Sequence, residues 1–474
     1  MNPSQSSQAP TISTRSLRLW LVGLFGVLVG FGLVVGGGSV AFAGGVEGFG
    51  VVDTSSGVWY LRDPGSGDTT SFFYGNPGDF PMLGDWDCDG VDTPGLYRQS
   101  DGYVYLRNAN TQGVADVRFF FGDPGDVPLA GDFDGDGCDT VSIYRPSESR
   151  VFVINELGSD DGGLGAADFS YLFGNPGDKP FVGDFDGDGV DTVGLHREST
   201  GLVYFRNTHT QGIADAQFIY GDPGDKIMAG KWTSGHVSDT VGIFRPSQGM
   251  AYLKYVNTQG NADEEHLYGN RNMLPVAGHL GTLPGTSAAP PSALTVITDS
   301  VVLGAEKYFP AEFPGWDLAI RGKPAVMLHQ IQDVYFSHGE HVPARVVLAI
   351  GYNSIWKRDR ENFDAYAAKF DREAQSVLDL VRSRGAKEIV WVTLREPSPA
   401  AIVTAQQIDQ QFRFGYYMPY VNERLEILAA ANDDLVLSDW DVVGSPPGMT
   451  YDLIHLNKAG ALVMVDSIAR AVGE

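Results

Sequence analysis

The sequence predicts a multidomain protein: an N-terminal all-β propeller of about five blades, followed by a C-terminal three-layer α/β/α domain built on a parallel sheet. Three observations carry this. Similar segments recur over residues 48–281 with a period of 47 to 52 residues, marked by Gly75, Gly122, Gly174, Gly221 and Gly269. The 60 glycines and 26 prolines point to many turns and hence to β structure. Beyond a Pro/Ala/Ser connector, apolar runs alternate with helical stretches, the pattern of a parallel sheet covered by helices on both faces. At 474 residues the chain also exceeds what one core organises, since single cores stop growing at roughly 250 to 300 residues.

Residues 1–43 read as an address. Arg15 and Arg18 precede the apolar run 19–35, and Ala41-Phe42-Ala43 supplies the small residues of a cleavage site, so the segment is a signal peptide. An uncleaved membrane anchor is the alternative, because the run stretches to about 20 residues. Either way the rest of the chain is expected outside the cytoplasm, secreted or held at the cell surface. The formal net charge of −26 argues against a nucleic-acid partner or an anionic membrane surface. Membrane contact is expected only through the N-terminal segment.

Residues 44–282 hold the repeats. Each period contains short alternating runs such as "VYLR", "RFFFG" and "TVSIYR", which read as strands, and four strands in about 48 residues make one propeller blade. In "NPGD" the proline presets the second turn position and the glycine permits positive φ at the third. Phe119, Phe120 and Phe121 read as strand packing. Half-units at each end of the array are placed to close a ring of five.

Three loops carry alternating aspartates: Asp85, Asp87 and Asp89; Asp132, Asp134 and Asp136; Asp184, Asp186 and Asp188. Carboxylates at positions 1, 3 and 5 of a tight loop converge on one hard cation of calcium type, and Asp92, Asp139 and Asp191 are expected to complete the three sites. The fourth loop, "GKWTSGHVSD", has lost its acids. Cys88 and Cys138 fall in successive loops and could form one disulfide in an oxidising compartment, two free thiols being the alternative. The whole stretch resembles the FG-GAP/VCBS-type repeats of bacterial surface proteins. That resemblance implies structural Ca2+ in the loops.

Residues 283–293 form a semi-rigid connector, expected not to pack. In residues 294–474 the runs "ALTVITDS", "ARVVLAIGYN", "EIVWVTLRE" and "LVLSDW" read as strands, and the stretch from Asn362 to Arg384 as a helix. Chemistry in such a sheet belongs at the C-terminal strand ends. Asp299 and Ser300 close the first strand, at the start of an expected helix "SVVLGAEKYF". Gly351, Tyr352 and Asn353 close the run "ARVVLAIGYN". Asp452 lies three residues before His455, close enough to orient an imidazole that takes a serine proton. His338 and His341, in "HGEH", lack an evident third metal ligand and are not read as a zinc site.

Order and spacing of these residues resemble the SGNH (GDSL-type) hydrolase superfamily, and within it the SGNH domains of O-acyltransferases. The resemblance implies a flavodoxin-like parallel sheet, Ser300 as nucleophile, His455 as base and Asp452 as its partner. It makes Asn353 and Gly322 oxyanion donors beside the Ser300 amide, with no cofactor for catalysis. Thr298 stands where the family commonly has glycine, and Ser354 where an aspartate often follows the asparagine. The implied function is a serine ester hydrolase removing short acyl groups from a carbohydrate or cell-wall glycan, the propeller binding or supporting it. The alternatives are an O-acyltransferase-like enzyme and a non-catalytic surface adhesin with a degenerate domain.

Overall fold

The computed structural model describes residues 45–158, 166–336, 340–355, 363–413 and 415–473. The segment read as signal peptide or anchor lies outside them, as does His338. Among the described residues no helix is long and apolar enough to cross a membrane.

Five antiparallel four-stranded sheets make the propeller. In the second blade the strands follow chain order: Phe80–Gly84, Thr93–Arg98, Tyr103–Leu106 and Val117–Phe120. The third, fourth and fifth blades repeat this from Val127, Lys179 and Lys226. The first blade is composite, because Gly48–Asp53, Val58–Arg62 and Thr69–Phe73 take their innermost strand from Met273–Gly278. Pairing the two ends of the repeat array in one sheet closes the ring. Apolar cores lie between neighbouring blades: Met82, Tyr97 and Val104 of the second pack with Val141 and Ile143 of the third.

The recurring "PGD" and "YR" or "FR" motifs are two halves of one device. Asp79, Asp126, Asp178 and Asp225 end the turns and accept paired hydrogen bonds of 2.8–2.9 Å from Arg98, Arg145, Arg197 and Arg245. Each guanidinium also lies 4.5–5.6 Å above the ring of Tyr105, Phe152, Tyr204 or Tyr252. The four carboxylates are buried, where a charge without a partner is costly. The first blade has Asp53 in place of the arginine, and the turn into its innermost strand, "GNRN", has no aspartate. Both partners are absent together.

The C-terminal sheet has five parallel strands: β1 (Ala293–Thr298), β2 (Asp317–Gly322), β3 (Arg345–Ala349), β4 (Glu388–Trp391) and β5 (Leu435–Leu437). Their order is β2-β1-β3-β4-β5. Along the chain, α1 (Ser300–Leu303) and α2 (Phe309–Glu312) follow β1, α3 (Ile331–Tyr335) follows β2, and α4 (Phe363–Ser383) follows β3. After β4 come α5 (Ala405–Arg413) and α6 (Met418–Ala430), and after β5 come α7 (Trp440–Val443) and α8 (Lys458–Val472). Helices α3, α4 and α6 pack as one layer, and α2, α7 and α8 as the other.

Two sequence expectations are corrected. The helix expected from Ser300 is a single turn capped at Gly304, followed by a 3-10 turn at Glu306–Tyr308 and then α2. The connector also packs: Ser287 N–H donates to Thr69 O at 2.6 Å, Thr70 Oγ1 to Gly285 O at 2.8 Å, and Asn270 Nδ2 to Pro291 O at 2.8 Å. Its backbone finds partners on the first blade and on the turn leading into it, which short Pro/Ala/Ser side chains leave accessible. Further ties between propeller and sheet are the ion pairs Arg271–Asp317 and Lys387–Glu265, the latter at 2.9 Å. Residues 44–474 accordingly form one compact unit.

Candidate active site and acidic loops

Register sets the site. Thr298, the last residue of β1, pairs with Gly322 on one side and Ala349 on the other, so three strand ends finish level. Ser300, Gly322 and Asn353 lie at or just beyond those ends. Asp299 N-caps α1 by accepting from Val301 N–H at 3.0 Å, which holds Ser300 at the first helical position. Gly322 packs against the same turn: a Cβ there would lie 2.0 Å from Leu303 Cδ2. Gly351 adopts φ +136°, a conformation suited to glycine, and turns the chain into the 3-10 segment Tyr352–Ile355 that carries Asn353.

From the far end of the domain His455 completes a relay. Its Nε2 lies 3.2 Å from Ser300 Oγ, and its Nδ1 lies 2.7 Å from Asp452 Oδ2. A carboxylate only accepts, so Nδ1 carries the proton and the lone pair of Nε2 faces the serine hydroxyl. Asp452 Oδ1 accepts from the N–H groups of Leu453, Ile454 and His455 at 2.7, 2.9 and 2.7 Å. Burial opposes ionisation of Asp452, but these bonds outweigh it and hold the carboxyl well below the usual carboxylate range. The hydrogen bond to Asp452 in turn raises the His455 pKa against the opposing effect of burial. Burial pushes Asp299 up to about 7. Asn353 Nδ2 donates to Asp299 Oδ2 at 3.4 Å, leaving its second N–H for another acceptor. The exposed Tyr451 ring stacks nearly parallel to the His455 imidazole, 13° apart in plane.

One residue of this network was not singled out from the sequence. Arg395, just beyond β4, is only 1% exposed. Its Nε donates to Gly444 O at 2.5 Å, Nη2 to Pro446 O at 2.9 Å, and Nη1 to Thr450 Oγ1 and Leu453 O at 3.2 Å each. Its backbone N–H donates to Tyr352 Oη at 2.7 Å. Arg395 therefore joins the segment carrying Asp452 to the one carrying Asn353. The signal was an arginine within a few residues of a buried strand, where an unpartnered charge would not be stable.

Each acidic loop brings together one carboxylate oxygen from its first three aspartates: Asp85, Asp87, Asp89; Asp132, Asp134, Asp136; Asp184, Asp186, Asp188. These oxygens lie within 4.8 Å of one another. All donors are hard oxygens, a set that fits a calcium-type ion. The expectation for Asp92, Asp139 and Asp191 is corrected, since none joins these groups. Each reaches back to the preceding blade: Asp139 Oδ2 accepts from Asp85 N–H at 2.9 Å, Asp191 Oδ2 from Asp132 N–H at 3.0 Å, and Asp92 Oδ2 from His279 N–H at 2.8 Å. Asp239 repeats the contact on Asp184 at 2.8 Å. Backbone donors at the start of each inner loop need acceptors, and these side chains, Asp239 buried and the other three partly buried, supply them.

Cys88 and Cys138 form a disulfide. The repeats explain its place. Where Cys88 stands, the next two loops have Gly135 and Gly187, whose Cβ positions would lie 3.1 and 3.2 Å from Val190 and Val237 of the following loop. Cys138 stands at the valine position. A glycine-to-valine contact between neighbouring loops has become a covalent bond closing about 50 residues, a constraint worth about 4 kcal/mol.

No family model and no curated protein matches the chain. Among solved structures it is similar to the C-terminal catalytic domain of Streptococcus pneumoniae peptidoglycan O-acetyltransferase A, at 19% identity and TM-score 0.27 over 38% of this chain and 92% of that one. It is similar to an acetyl xylan esterase, AlAXEase, at 20% identity and TM-score 0.29 over 38% and 99%. A third is Axe2, an acetylxylan esterase from Geobacillus stearothermophilus, at 14% identity and TM-score 0.30 over 38% and 94%. These are partial likenesses at low identity.

Proposed function

We propose that the chain is a serine ester hydrolase acting outside the cytoplasm on short acyl groups carried by a carbohydrate, with calcium holding the propeller loops. The observation that carries the chemistry is the Ser300–His455–Asp452 relay with its 3.2 and 2.7 Å links. Ser300 Oγ attacks the ester carbonyl carbon as His455 Nε2 takes the hydroxyl proton. The oxyanion receives hydrogen bonds from the Ser300 N–H, the free N–H of Asn353 and the Gly322 N–H. His455 then protonates the departing sugar oxygen, leaving acyl-Ser300. Water attacks that ester with His455 again as base, and the carboxylic acid leaves. Asp452 stays ionised throughout and stabilises the imidazolium.

The His455 side chain is 36% exposed, which suits an acyl group presented on a larger molecule. None of four clefts of about 310–620 Å3 elsewhere in the protein is lined by Ser300, Asn353 or His455. The Cys88–Cys138 disulfide supports an oxidising compartment, in keeping with residues 1–43 as an export signal. The test is hydrolysis of a chromogenic acetyl ester with calcium present. Ser300→Ala and His455→Ala are each expected to lower kcat by at least about 10³-fold. Equal rates in parent and variants would sink the proposal.

A further inference from the structure

A cleft of about 620 Å3 opens between the first and second blades, lined among others by Phe73, Tyr74, Asn76, Arg98, Val114 and Asp116. The same repeat positions line a cleft of about 600 Å3 between the fourth and fifth blades, with Ile219, Tyr220, Asp222, Arg245 and Asn261. The second of these is internally satisfied. Tyr220 Oη donates to Tyr252 O at 3.0 Å, and Arg245 is held by Asp225 at 2.8 Å and by Asp222 at 2.6 Å. The first is not. Tyr74 is 4% exposed, yet its Oη has no hydrogen-bond partner. Asn76 replaces the aspartate that engages the second arginine, so Arg98 keeps Asp79 and Tyr105 Oη alone. Over this polar floor stand Phe73 at 45% and Val114 at 80% exposure.

We propose that the cleft between the first and second blades binds one neutral sugar residue of a glycan chain. A pyranose has an apolar C–H face and a hydroxyl edge. Phe73 and Val114 take the face, while the exposed Asn76 amide and Asp116 carboxylate take the edge. The acids of the cleft are already matched, Asp79 by Arg98 at 2.8 Å and Asp116 by Arg107 at 3.7 Å, the other charge lining it, Arg118, is exposed, and the chain carries −26 overall. A neutral ligand therefore fits better than an anionic one. The site goes beyond the esterase reading and needs no chemistry at Ser300.

The experiment is titration calorimetry of the intact Ser300→Ala chain with chitotetraose, cellotetraose and xylotetraose. At least one is expected to bind at one site per chain with a Kd in the millimolar range or tighter. Phe73→Ala and Asn76→Ala, both exposed positions, should each weaken it, Phe73→Ala by about tenfold. Ile219→Ala in the other cleft should leave it unchanged. Absence of binding by all three oligosaccharides would overturn the proposal, as would binding unaffected by both first-cleft changes. Because the nucleophile is already removed, a failure of the esterase reading leaves this outcome intact.

Discussion

His455 must be neutral to accept the Ser300 proton, and its hydrogen bond to Asp452 raises its pKa above the ordinary histidine value of about 6.5. The acid limb of kcat/KM should therefore lie above that value, with activity falling as pH drops through it. Asp452→Asn removes the cause, so the limb should move to lower pH while kcat falls by about 10⁴-fold, because the imidazole loses its preferred tautomer. A pH–rate profile of both proteins checks this, and an unmoved limb would count against Asp452 as the orienting group. Arg395 acts one step further out, as a positioning residue. Lysine cannot reproduce its fork of donors to Gly444, Pro446, Thr450 and Leu453. Arg395→Lys should lower kcat by roughly 10- to 100-fold with KM little changed, as one or two lost buried hydrogen bonds imply. Guanidinium ion should restore part of the rate to Arg395→Ala, a rescue that general destabilisation would not show.

At the scale of loops and strands, the acidic loops are the elements whose stability depends on something added. Three carboxylates with oxygens within 4.8 Å repel one another unless a cation lies among them. Chelation should lower the melting temperature followed by circular dichroism, and calcium should restore it, each site contributing about 2.7 kcal/mol at a hundredfold excess over Kd. Equal melting with and without chelator would contradict a calcium role. Much at this scale was legible in the sequence, because repeats turn one local pattern into several. The blade count, the ring closure and the three aspartates per loop all followed from aligned periods. Asp92, Asp139 and Asp191 misled because proximity along the chain suggested their own loop, whereas propeller geometry turns them onto the preceding blade. Strand β2 escaped notice for a different reason: "DLAIRG" is a half-buried edge strand with weak apolar patterning.

Across the whole molecule, the relay spans 155 residues between Ser300 and His455, and only the parallel sheet brings its ends together. Sequence order and strand-end placement were enough to nominate Ser300, Asn353, Asp452 and His455 as neighbours. They could not show Arg395, whose partners lie some 50 residues further along the chain. Nor did short Pro/Ala/Ser side chains reveal that residues 285–291 hydrogen-bond to the propeller through their backbone, joining both parts into one unit. The proposed esterase function stands on Ser300 being a nucleophile activated by His455. Its most direct test is to treat the intact protein with a fluorophosphonate and map the adduct by peptide mass spectrometry. A single adduct on Ser300 is expected, absent in Ser300→Ala and strongly slowed in His455→Ala. An unmodified Ser300 in the folded parent protein would contradict it.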